Sequence, residues 1–88
     1  MNKPYLVSYD LDKPGQNYDA LIARLLQHHA VRVLRSQWVL STTWTASQLC
    51  NDLKTYTDSN DRILVVEMSH SWAFTNIMAS DSFKKIAA

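Results

Sequence analysis

The spacing of apolar side chains changes twice along this chain, from strand-like to helical and back, and this pattern limits its possible folds most. Residues 4–10 and 62–68 are rich in apolar, β-branched and aromatic side chains, which is typical of strands. Residues 18–29 and 45–56 instead carry apolar side chains at helical spacing. The sequence therefore predicts a strand and a helix at each end of a central stretch.

That central stretch, residues 31–43, is rich in β-branched residues and too long for one typical strand. We predict that it divides near Arg35, Ser36 and Gln37 into two antiparallel strands. Both helices have start signals: Asn17 is a candidate N-cap of the first helix. Thr45 and Gln48 have the spacing of a capping box at the start of the second. The predicted buried stripe of the second helix is Leu49, Leu53 and Tyr56.

The order strand, helix, strand, strand, helix, strand is that of an α+β ferredoxin-like βαββαβ sandwich. In it, two helices cover one face of a four-stranded antiparallel sheet. We assign residues 1–68 to this single domain and residues 69–88 to a C-terminal tail whose last residues fray. Because the other sheet face lacks a cover, we expect a homodimer, with the tail able to dock on the partner.

Composition excludes several classes of protein. The 88 residues contain nine Lys and Arg against eight Asp and Glu, so nucleic-acid binding would depend on a local patch. Cys50 is the single cysteine, which rules out an intramolecular disulfide and a cysteine-based zinc site. No apolar run approaches the roughly 18 residues of a membrane span, and the first residues lack a signal-peptide core. We therefore expect a cytoplasmic protein without membrane contact.

Three polar positions allow more than one interpretation. Asp10 closes the first strand just before Pro14 and Gly15, so it either bonds the amides of that turn or holds a ligand. His28 and His29 end the first helix, where imidazole can serve the last carbonyl groups. A metal or acid–base role is the alternative for these two residues.

Three short segments carry a family resemblance. The segment "LVSYDL" contains Tyr9 and Asp10, "RVLRSQWVL" contains Arg32, Ser36 and Trp38, and "SNDRILVVEM" contains Asp61 followed by Arg62. In this order they resemble the small CRISPR-associated endonuclease family, the minor subunit of spacer-acquisition complexes, with its phage and bacterial relatives. The VapD-type toxin ribonucleases are similar at a greater distance. The resemblance spans residues 5–68.

The resemblance implies a homodimer in which Asp10 of each protomer faces its mate and both hold Mg²⁺. Such a dimer would be a Mg²⁺-dependent phosphodiesterase, an endoribonuclease or an endodeoxyribonuclease. Ser36 would contact phosphate, and Arg32 or Arg35 would bind the RNA or DNA backbone.

Two other functions remain open from the sequence. The first is a non-catalytic dimeric scaffold or adaptor that binds duplex nucleic acid or a protein partner. Its candidate backbone contacts are Arg24, Arg32, Arg35, Lys54, Lys84 and Lys85. The second is binding of single-stranded RNA by Tyr5, Tyr9 and Trp38 on an open sheet face. Such aromatic residues more often form core or dimer contacts.

Overall fold

The computed structural model describes residues 1–11 and 18–88, which form four strands and three helices. The elements in chain order are β1 Lys3–Asp10, α1 Asp19–Gln27, β2 Val31–Leu34, β3 Gln37–Thr42, α2 Ala46–Lys54, β4 Arg62–Glu67 and α3 Ser80–Ala87. The predicted N-cap Asn17 and the Pro14-Gly15 turn lie outside the described residues.

The four strands form one antiparallel sheet in the order β2-β3-β1-β4. This order confirms the predicted ferredoxin-like α+β arrangement, in which β1 lies between β3 and β4. The predicted division of the central stretch is also correct, because Arg35 and Ser36 form the turn between β2 and β3. The β2–β3 pairing shifts register between Arg32 and Leu34.

The main core lies between one sheet face and helices α1 and α2. Every second residue of β1 is buried on this face, namely Tyr5, Val7 and Tyr9. The helices contribute four fully buried leucines to the same cluster: Leu21, Leu25, Leu49 and Leu53. The Tyr5 hydroxyl donates a hydrogen bond of 2.7 Å to the carbonyl oxygen of Trp44, so the buried phenol retains a partner.

Helix α2 begins with the predicted capping box. The Gln48 amide donates to the Thr45 hydroxyl at 3.1 Å, and the Thr45 amide donates to the Gln48 side chain at 2.9 Å. Both bonds satisfy amides that a helix start otherwise leaves without partners. Tyr56 does not belong to the buried stripe, because α2 ends at Lys54 and the tyrosine is exposed.

The opposite sheet face is partly covered by the chain's own C-terminal residues. Phe83 and Ala87 of α3 pack on Val33 and Val39 of the sheet. The prediction that the last residues fray is therefore wrong. Phe83 and Ala87 are four positions apart, so both lie on one side of α3 and are buried together.

Within the described residues, the part of this face formed by β1 and β4 is covered less completely, although Leu6 of β1 packs against the same cluster. Leu64 and Val66 of β4 are 60% and 43% exposed, and they lie beside Leu6 and Ser8 of β1. We call these four residues the open strip. None of the helices within residues 1–11 and 18–88 is long and apolar enough to cross a membrane.

Replacing Leu49 by alanine should destabilise the fold strongly, because its side chain is fully buried in the main core. We expect a loss of about 2–5 kcal/mol in the free energy of unfolding, measured by urea denaturation. The matched control is Leu26→Ala on α1, where the leucine is 57% exposed. The control should change stability by about 0.5 kcal/mol or less. Equal losses in the two variants would contradict this description of the core.

Candidate functional site

Asp10 lies at the C-terminal end of β1, on the same sheet face as the open strip. Strand residues alternate between faces, so Leu6, Ser8 and Asp10 point away from α1 and α2. The Asp10 side chain is 76% exposed. It borders a shallow depression of about 190 Å³ lined by Ser8, Tyr9, Asp10, Arg62, Ile63 and Leu64. A carboxylate so placed is accessible to a ligand or to another molecule.

Arg62 is the neighbour of Asp10 on the adjacent strand. The two residues are partners in the β1–β4 register, and Arg62 Nη1 lies 3.4 Å from Asp10 Oδ2. Both side chains are mostly exposed, so water screens this long ion pair and it contributes little to stability. In the sequence, Arg62 stands out only as part of a family motif. The adjacency of β1 and β4 in the predicted fold is the signal that identifies the pair.

Ser36 and Arg35 lie at the same end of the sheet as Asp10. They form the β2–β3 turn, and the Tyr9 amide donates a hydrogen bond of 3.1 Å to the carbonyl oxygen of Ser36. Arg35 is exposed, whereas Ser36 is half-buried. The fold therefore brings three predicted site residues to one sheet end, although they are distant in sequence.

Arg32 does not join this group, because it faces the helix side of the sheet. Its Nη2 donates to the Tyr9 hydroxyl at 3.3 Å, and its guanidinium carbon lies 4.9 Å from the centre of the Trp38 ring. Trp38 Nε1 donates to the same hydroxyl at 3.1 Å. Within the described residues, the buried Arg32 Nε has no hydrogen-bond partner. Arg32 and Asp10 thus occupy opposite faces and do not form one site.

The aromatic residues named in the sequence analysis belong to the core. Tyr5, Tyr9 and Trp38 are all buried beneath α1 and α2. The hypothesis that they stack RNA bases on an open sheet face is therefore wrong. The reason is strand parity: the odd residues of β1 face the helices, and Trp38 is paired with Val7 of that set.

The described part of the chain places no second carboxylate beside Asp10. In residues 1–11 and 18–88, no group of three or more His, Cys, Asp or Glu side chains could hold a metal ion. Among residues 1–11 and 18–88, Asp10 is the one carboxylate that lines its depression, and the Arg62 guanidinium stands beside it. Divalent cations prefer several oxygen ligands, so a cation held here by the described residues would need further oxygens, which a second copy can add.

A second polar cluster, which was not predicted from the sequence, joins α1 to α2. Asp52 accepts two hydrogen bonds of 2.8 Å from Arg24 Nε and Nη2, and its Oδ2 lies 2.9 Å from His28 Nε2. The His28 ring meets the Trp44 ring edge-on, with centroids 5.0 Å apart. The four-residue spacing of Arg24 and His28 indicated a shared helix face, but only the helix packing identifies Asp52 as their partner.

Electrostatics in this cluster favour the charged forms of Asp52 and Arg24. The hydrogen bond from Arg24, supported by His28, lowers the pKa of Asp52, although partial burial opposes this effect. The same bond raises the pKa of Arg24. The paired groups are half-buried between two helices, so the cluster acts as a clamp that fixes the position of α1 against α2.

Comparison of the chain with protein-family models, with curated proteins and with solved structures found no match.

The clamp should make stability fall in acid. Because the pKa of Asp52 is lowered from its ordinary value of 3.8, its stabilising effect is complete above that value. The effect is lost as the pH falls below 3.8 and through the lowered pKa of the folded protein. We expect Asp52→Asn to reduce the free energy of unfolding at pH 7, with a gap to the wild type that closes in acid. Chemical denaturation at a series of pH values measures it.

A control variant for this experiment is Asp58→Asn, which removes one exposed carboxylate outside the clamp. It should change stability much less at pH 7. A gap between wild type and Asp52→Asn that stays constant down to pH 2 would contradict the role of the charged carboxylate.

Proposed function

We propose that this protein works as a homodimer in which the open strips of two copies meet and bring two Asp10 carboxylates together. The dimer would bind a divalent cation, Mg²⁺ or Mn²⁺, and act as an endonuclease-like phosphodiesterase on RNA or DNA. This is the function that the resemblance to the small CRISPR-associated endonucleases implies. The single observation that carries the proposal is the exposed Asp10 carboxylate on the same face as the exposed apolar strip.

The open strip supports the dimer. Leu64 and Val66 are neighbouring large apolar side chains on one face of a strand, and both are substantially exposed. An exposed apolar patch on a small domain commonly marks an interaction surface. Stacked sheets lie about 10 Å apart, so side chains from two such strips can interdigitate. Asp10 ends the strand beside this strip, so a two-fold axis near that sheet end would bring its mate close.

Two Asp10 carboxylates at a shared interface would repel one another, and this repulsion favours capture of a cation. A divalent ion held there would activate a water molecule and stabilise the charge that builds on the scissile phosphate. The roles of the protein's own groups follow from their positions. Arg62 would neutralise Asp10 in the absence of a ligand and turn to a phosphate oxygen when nucleic acid binds. Ser36 and Arg35 would provide further phosphate contacts from the adjacent turn.

A non-catalytic scaffold is the second candidate, and one observation favours it. The Asp10 carboxylate already has a cationic neighbour, Arg62, at 3.4 Å. If this pair persists in the dimer, the carboxylates need no cation and the open strip serves assembly alone. Metal-dependent cleavage by the dimer separates the two functions.

Leu64→Lys should prevent dimerisation, because a charged ammonium group would be placed in the apolar interface. We expect sedimentation velocity at micromolar concentration to give twice the mass of one chain for the wild type and a single-chain mass for the variant. Leu26→Lys is the matched control, since Leu26 is similarly exposed but lies on α1. The control should stay dimeric. A wild type that is monomeric at this concentration would contradict a stable dimer of the intact chain.

Asp10→Asn should abolish metal-dependent cleavage and leave the dimer intact, because the amide keeps the shape and loses the charge. The assay follows cleavage of labelled single- and double-stranded RNA and DNA with Mg²⁺ or Mn²⁺, using repeatedly purified protein. Asp58→Asn, an exposed carboxylate in the α2–β4 connection, should retain full activity. Activity of the Asp10 variant equal to wild type would reject the assignment. Absence of cleavage by a dimeric wild type would favour the scaffold.

A further inference from the structure

We infer that residues 69–87, which we call the C-terminal cover, compete with a second copy of the chain for the sheet face. This inference rests on the proposed dimer and adds its regulation. The closed chain, with the cover on its own sheet, would be the state that limits dimerisation. Displacement of the cover would expose the rest of the face and strengthen assembly.

The cover holds the sheet through a small aromatic cluster. Phe83 is buried against Val33 and Val39, and its ring meets Trp72 and Phe74 edge-on, with centroids 4.9 and 5.6 Å apart. The Met78 amide adds one hydrogen bond of 2.9 Å to the carbonyl oxygen of Val33. Most of the attachment is therefore apolar contact, which a second apolar sheet face can replace.

The cover also contains unfavourable backbone geometry. Ala79, the residue before α3, has φ 52° and ψ 43°, and no side chain caps the helix. Asn76 has φ 56°. A left-handed conformation is costly for alanine, because its Cβ crowds the backbone, whereas asparagine tolerates it better. The closed position of the cover therefore includes an unfavourable conformational free energy at Ala79. Release of the cover would remove it.

The dimensions of the cover make it an obstacle to a second sheet. A helix with its side chains is about 10 Å thick, which is also the distance between stacked sheets. Because α3 lies over β2 and β3, and Leu6 of β1 packs against the same cluster, a partner sheet can reach at most the strip of β1 and β4, a width of about 10 Å. A groove of about 390 Å³ lies between the cover and this strip, lined in part by Leu6, Val66 and Phe74. Full stacking of two sheets requires the cover to move.

Competition predicts opposite effects from two substitutions in the cover. Ala79→Gly removes the steric cost at the left-handed residue, so it should stabilise the closed chain and raise the dimer dissociation constant roughly fivefold. Phe83→Ala removes the central ring of the cluster, so it should lower the dissociation constant. The matched control is Ala73→Gly, in the same segment at a residue without positive φ. It should not raise the dissociation constant.

Sedimentation velocity over a concentration series measures these constants, and hydrogen exchange reports the cover directly. We expect the Met78 amide and the amides of the last turn of α3 to exchange faster with solvent as the fraction of dimer rises. Protection that persists in the dimer would overturn the inference, because the cover would then stay in place or dock on the partner. Equal dissociation constants in all four proteins would overturn it while leaving the dimer established. If the wild type and the Phe83→Ala variant are both monomeric, both proposals are refuted.

Discussion

The alternation of side chains along β1 is the constraint on which the rest of the structure depends. This central strand is paired on both sides, so its two faces must satisfy different surroundings at once. Tyr5, Val7 and Tyr9 fill the core under the helices, which leaves Leu6, Ser8 and Asp10 for the other face. A shift of one residue would bury Asp10 and expose the tyrosines, so the core itself determines where the carboxylate lies.

Two aspartate–arginine pairs show how the surroundings change the strength of the same kind of interaction. Asp52 and Arg24 meet between helices with two short hydrogen bonds, and partial exclusion of water makes their attraction effective. Asp10 and Arg62 meet at a sheet end with one long contact in solvent. The first pair is suited to hold helices together. The second is weak enough to exchange partners, which is the property a ligand-binding carboxylate needs.

The sheet has different layers on its two faces, and this asymmetry connects fold to function. Helices α1 and α2 cover one face, while the C-terminal residues pack on β2 and β3 of the other face and reach Leu6 of β1. The remaining strip keeps Leu64 and Val66 in contact with water. Exposing these apolar side chains to water costs free energy, which provides a driving force for association. The strip lies beside Asp10. Assembly and chemistry would therefore share one surface, with the C-terminal residues beside both.

Local patterns in the sequence determined the elements, because period-two and helical spacing, the capping box of Thr45 and Gln48, and the length of the central stretch act over a few residues. The order of these elements then led to the sheet topology, and strand parity placed Asp10 opposite the core aromatics. Only the tertiary structure decided which distant side chains meet. Asp52 with Arg24 and His28, and Arg32 with Tyr9 and Trp38, depend on how helices and strands pack. The C-terminal residues gave no clear local signal, since α3 is stabilised by burying Phe83 and Ala87 on a sheet face that exists only in the folded chain.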